Sequence, residues 1–383
     1  MNKRVRIMLA ILLLAAVSVS GWRFLHAYFH EPAYQGKSVS VWIQSLTNGI
    51  PAMQARAALQ KIGLPAVPYL VAAFGKSDDL LTKTYSKLWY NSPAAARRLL
   101  PEPFPWQATR TRIAEAIGFI GHHHWWVEGA GDAPTPPELE RAVNVLARAL
   151  ADPKPGVRSS SVQALEYLGP YAKSAVPGLI KMFNRGSLHE RVMVCQAFGT
   201  IGPCSDVVQA VQVLQVLGNA LNDSESGLNI AAVQALGAIG PSAASAVPAL
   251  VERVASSDEQ MRRSSLRALA RIGSLPESIR PKLVLLLNET NDFTRAGAAI
   301  ALLRLNPGDL NAVAVAKDCL GAQKPDNVRS STVYLSMAMR TPPRDFLPQL
   351  RLLARGPDSG ASRFARIALG RMAPEAAAKE DLN

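Results

Sequence analysis

His122, His123 and His124 stand side by side and are followed at once by Trp125 and Trp126. Neutral imidazoles bind zinc, nickel or copper, and a catalytic metal site needs three protein ligands with one position left open. Adjacent histidines do not converge on one ion without further ligands. Glu128 and Asp132 are near, but at no characteristic spacing. The run therefore reads as an aromatic–histidine loop that packs or meets a partner, with Trp125 and Trp126 as contact residues. Gly36-Lys37-Ser38 looks like the end of a phosphate loop, yet Glu31 stands where that motif requires a glycine, and no apolar strand precedes it. Cys195, Cys204 and Cys319 form no CxxC pair. The nine residues from Cys195 to Cys204 span ~13 Å of helix, beyond disulfide reach. All three read as packing or turn residues. No serine, cysteine or threonine has the setting of a catalytic triad. The side chains thus nominate no catalytic residue, no metal site and no cofactor.

The elements that carry these residues follow a repeat. Leu228 to Asp258 reads as two short helices and a turn. Ile230, Val233, Leu236 and Ile239 make an apolar stripe on the first helix, and Val247, Leu250, Val251 and Val254 on the second. Gly240 suits the helix stop, Pro241 blocks continuation, and Pro248 falls in the first turn of the second helix. The pair Ala235-Leu236 serves as a ruler. Its equivalents are Ala58-Leu59, Ala116-Ile117, Ala164-Leu165, Ala197-Phe198, Ala268-Leu269, Ala301-Leu302, Tyr334-Leu335 and Ala368-Leu369. From Ala164 the steps are 33, 38, 33, 33, 33 and 34 residues. A period of this length denotes stacked helical pairs.

These motifs resemble the HEAT-repeat family, in particular the short repeats also found in phycobilisome-lyase-like proteins. The resemblance runs from about Pro51 to Pro374 and implies an all-α solenoid used mainly for protein–protein contact. It transfers no catalytic residue, because the shared motif is structural. The alternative it leaves is a HEAT-like enzyme, lyase-like or metal-dependent. HEAT-like iron hydroxylases carry several His-Glu pairs. Here only His30-Glu31 and His189-Glu190 occur, and only the second lies in the array. One pair cannot furnish a two-metal site.

Arg110, Arg158, Arg191, Arg262 and Arg295 recur six residues before the ruler alanine, with Arg329 and Arg363 one residue out of register. Asp152, Asp258, Asp292, Asp326 and Asp358 come shortly before several of them. This predicts an Arg–Asp ladder between repeats.

Net charge is +13. Residues 1–125 hold 14 Lys+Arg against 5 Asp+Glu, and the remainder is nearly balanced. With no basic–aromatic motif in the array, the excess fits a membrane-proximal N-terminus rather than nucleic-acid binding. Lys3, Arg4 and Arg6 precede the uncharged run Ile7 to Trp22. Residues 1–24 are expected to be a signal anchor, crossing the membrane through residues 7–22 with the rest extracytoplasmic, periplasmic in a Gram-negative cell. Cleavage near Ser18-Val19-Ser20 and secretion is the alternative. Residues 25–50 are the lead-in with a capping helix around Trp42. Residues 51–374 are the solenoid, with insertions near 76–105 and 122–137, and 375–383 are a polar tail. The expected function is a scaffold for an unknown protein partner. Second helices place Lys181, Arg185, Glu252 and Arg253 on a groove-facing side.

Overall fold

A computed structural model describes residues 31–46, 49–76, 80–93, 106–127, 134–254, 256–273, 275–337, 344–357 and 359–372. Residues 7–22, expected to cross a membrane, the Pro101–Pro105 stretch, Glu128, Asp132, Asp358 and residues 375–383 lie outside these residues. The chain divides into two compact units, Met1–Tyr171 and Ala172–Asn383. The fold is an all-α solenoid of helical pairs.

The first unit opens with a hairpin. Strands β1 (Ala33–Tyr34) and β2 (Lys37–Ser38) pair antiparallel through Gln35 and Gly36, both at positive φ as the tight two-residue turn requires. Helix α1 (Val39–Ser45) follows and buries Trp42, whose indole N–H donates to the Tyr34 carbonyl at 3.3 Å. Gly36-Lys37-Ser38 is thus part of a hairpin. Then come α2 (Gly49–Ile62), α3 (Val67–Lys76), α4 (Leu80–Asn91), α5 (Trp106–His122), α6 (Pro137–Ala149) and α7 (Pro155–Leu168). Helix α4 fills part of the first insertion. First helices pack on first helices, α2 on α5 and α5 on α7.

The second unit contains α8 (Val176–Arg185), α9 (Leu188–Ile201), α10 (Val207–Leu221), α11 (Ser226–Ile239), α12 (Val247–Arg253), α13 (Glu259–Ile272), α14 (Arg280–Leu286), α15 (Asp292–Leu305), α16 (Leu310–Leu320), α17 (Asp326–Met337), α18 (Leu347–Ala354) and α19 (Gly360–Met372). Helices α9, α11, α13, α15, α17 and α19 pack in succession. Helix starts are fixed by side-chain caps. Ser187 and Glu190 close a capping box on α9, and Asp206, Asp258, Asn291 and Asp309 accept from first-turn amides of α10, α13, α15 and α16. Asp258 is therefore a cap and not a ladder rung. Helix α11 stops at Gly240, whose φ of +71° is open to glycine at no steric cost, and Pro248 sits in the first turn of α12. Ser226–Arg253 is apolar enough in composition to cross a membrane, but it is two helices broken at Gly240 with much of its surface in the core.

The packing explains the ruler alanines. In α11, a Cβ on Gly237 would meet the Ala268 Cα at 2.8 Å; Gly199 approaches Ala235 and Gly118 approaches Ala164 in the same way. A glycine two residues past one ruler thus lets the helix backbone rest on the ruler alanine of the next repeat. Only small residues permit this approach. The eighth repeat corrects the expected register. Tyr334 is exposed, and the buried pair is Leu335-Ser336. Shifting the ruler to Leu335 also places Arg329 six residues before it.

Candidate functional site

The second helices of the second unit bury one face and expose the other. On α8, Leu179, Met182 and Phe183 are buried, while Lys181 and Arg185 are exposed. On α12, Leu250 is buried and Glu252 exposed. Arg253 differs from expectation: it is half-buried and donates from Nη2 to Asn222 Oδ1 at 2.8 Å, just past the end of α10. Its reach to the preceding repeat takes it out of the free surface. Helix α10 contains no charged residue, and Val207, Val208 and Val211 are exposed on it.

The His–Trp stretch belongs to the first unit. It is a π-helical turn, His123–Val127, continuing directly from α5, where the sequence predicted a loop. Long-range partners hold it. The Trp125 indole N–H donates to the Tyr167 carbonyl at 2.7 Å, and its ring closes over Gly169, leaving no room there for a Cβ. His124 Nδ1 and the Tyr171 hydroxyl share a hydrogen bond at 2.8 Å. His122 packs against Trp125 and Trp126. Trp125 is half-buried in this packing, whereas Trp126 is 67% exposed. The three imidazoles serve different neighbours: His122 joins the aromatic stack, while His123 and His124 line a cleft of about 450 Å³ with Gln60, Lys61, Ile62, Gly63, Leu64, Pro65 and Ile120.

The arginine series forms ion pairs at several rungs. Arg110 Nη1 and Asp152 Oδ2 are 2.6 Å apart and almost fully buried, and Arg191 Nη2 lies 2.8 Å from Asp223 Oδ2. The Asp223 carboxyl is held below its ordinary range, first by the Arg191 hydrogen bond. Arg158 donates to the Asp152 carbonyl. Asp223, missed in the sequence, supplies a rung from the same turn position as Asp152. Among the described residues, one group of metal-type ligands comes together, Asp292, Asp318 and Cys319. Its carboxylates are already bridged by cations: Arg295 reaches both, at 2.8 and 3.0 Å, and Lys324 lies 2.9 Å from Asp292 and 3.3 Å from Asp318. Burial pushes the Cys319 thiol up to about 11. The group is an ion-pair network with a protonated thiol at its edge. Burial likewise pushes Cys195 to about 12 and raises half-exposed Cys204, so none is an activated nucleophile.

The helical pairs now have a counterpart among known families. The HEAT repeats family model matches residues 176–269 and 247–336. Those residues span the second unit from α8 to α17. Among solved structures, an engineered protein is 19% identical over 86% of this chain and 87% of its own, with a TM-score of 0.43. A designed armadillo repeat protein is 16% identical over 63% of this chain and all of its own, with a TM-score of 0.42. A second, in complex with peptide (KR)4, is 16% identical over 58% and 96%, with a TM-score of 0.36. Among curated proteins, none matches the chain.

Proposed function

We propose that this protein is a non-enzymatic scaffold for protein–protein interaction. In this reading residues 7–22 hold it at a membrane and residues 30–383 stand on the extracytoplasmic side. The repeats are assigned to the short HEAT-like subclass shared with phycobilisome-lyase-like proteins, on the recurrent step of 33 residues. The observation that supports a scaffold is the division of the second helices. Leu179, Met182 and Phe183 are committed to the core, whereas Lys181 and Arg185 on α8 and Glu252 on α12 remain exposed. Repetition sets such positions in rows. Their mixed sign suits a polar protein ligand rather than a phosphate backbone. Membrane attachment is supported by Lys3, Arg4 and Arg6 ahead of the apolar run.

Reversing Lys181 and Arg185 to glutamate tests the binding face. Exposed charges contribute little to stability, so the variant folds. Partner capture from native membranes is expected to weaken and to lose its salt dependence. Unchanged capture by this variant, together with loss on Trp126→Ala, assigns binding to the π-helical turn and refutes the second-helix face.

A further inference from the structure

Helix α13 carries Arg263, Arg267 and Arg271 at steps of four residues. This spacing aligns them on one face, ~6 Å apart along the axis. Among the described residues none of the three is ion-paired. Arg263 lies over the Phe293 ring at 5.1 Å, and Arg267 donates to Ser331 Oγ at 3.1 Å. Burial, with Arg263 beside it, holds the Arg267 guanidinium below its ordinary value. Among the described residues the neighbouring helices supply no counter-charge. Helix α11 has no charged residue. On α15, Asp292 is taken by Arg295 and Lys324. On α17, Asp326 accepts from Arg329 and from the Ala361 amide. Glu259, at the start of α13, accepts from Asn291. Arg110, Arg191 and Arg295 by contrast each face an aspartate. Three like charges in a row oppose folding, and this row carries them without a facing carboxylate.

We propose that Arg263, Arg267 and Arg271 form a docking site for an acidic segment of a partner protein, independent of the second-helix face. In an extended peptide, alternate side chains lie ~6.6 Å apart on one face. That repeat matches the ~6 Å arginine step, so carboxylates at alternate positions meet successive guanidinium forks. Phe293 beneath Arg263 and Tyr334, 40% exposed on α17, give the row an aromatic flank. Arginine and tyrosine together are typical of energetically dominant protein contacts. The row is one helix wide and ~12 Å long. A nucleic-acid backbone would need basic groups continuing onto neighbouring helices, and α11 offers none.

The test uses the full chain and a fluorescein-labelled hexaglutamate peptide, read by anisotropy at low ionic strength, where surface charges are least screened. The wild type is expected to bind, with affinity falling as salt rises. Arg263→Gln, Arg267→Gln and Arg271→Gln together are expected to weaken binding at least about tenfold. Lys181→Gln with Arg185→Gln is expected to leave it unchanged. Circular dichroism checks folding, and Arg267→Gln alone, with about a threefold loss, serves if the triple variant unfolds. No binding by the wild type, equal losses in the α13 and α8 variants, or tighter binding of an oligothymidylate of the same charge overturns the proposal.

Discussion

Replacing Gly218 by alanine will stabilise the array, whereas replacing Gly237 by alanine will bring no such gain and up to ~2 kcal/mol of loss. Both glycines are inside helices, α11 and α10. In a helix interior the change gains ~0.8–1 kcal/mol of propensity. A Cβ on Gly218 meets nothing within 4 Å, so the gain is kept. A Cβ on Gly237 would stand 2.8 Å from the Ala268 Cα and 3.0 Å from its Cβ. Carbon atoms prefer ~3.5–4.0 Å. The nearest atom is backbone and cannot swing aside, so α11 and α13 must part by most of an ångström. Such overpacking costs ~1–3 kcal/mol. Subtracting the propensity gain leaves a net loss of ~0–2 kcal/mol, against a gain of ~0.8–1 kcal/mol at Gly218. Urea denaturation followed by circular dichroism measures both variants against the wild type, provided the transition slope is unchanged. A Gly237→Ala midpoint raised as far as that of Gly218→Ala would refute the close approach of first helices on the ruler alanine.

Three further outcomes follow from the same structure. Asp152→Ala leaves Arg110 buried without its carboxylate and should cost ~3–5 kcal/mol in the same denaturation assay; a loss below ~1 kcal/mol would show the pair is not desolvated. Asp223 and Asp326 are held below their ordinary value of 3.8 chiefly by hydrogen bonds, from Arg191 and Ser359 respectively. For Asp292, burial raises the pKa but is outweighed by Lys324 and Arg295. Their contribution is therefore complete above about pH 5 and lost as pH falls below about 4, so thermal melts should drop over that window and not between pH 6 and 8. In the native protein at pH 8, iodoacetamide should label Cys204 ahead of Cys195 and Cys319, as mass spectrometry of digests would show; equal labelling would contradict the burial of the latter two.

The helix punctuation was legible because it is local. Gly240, Pro241 and Pro248 act through their own backbone, and their places are where the residue types demand. Features that depend on a distant partner were not. That Trp125 also packs on Tyr167 and Gly169, more than forty residues on, has no mark in the local sequence. Arg253 reads as a groove-facing charge, and nothing local shows that Asn222 accepts from it. The eighth ruler slipped by one residue because Tyr334-Leu335 and Leu335-Ser336 are equally plausible strings, and only burial against neighbouring helices decides between them. The arginine spacing on α13 was present in the sequence, but the lack of a facing carboxylate is a property of α11, α15 and α17 together.

The scaffold claim is tested most directly by a photo-crosslinking side chain placed at Lys181 and, in a second variant, at Trp126, each irradiated in native membranes and analysed by mass spectrometry. The account predicts a specific protein adduct from position 181 that disappears when Arg185 is reversed to glutamate. Adducts from position 126 alone, or none from position 181, would contradict it.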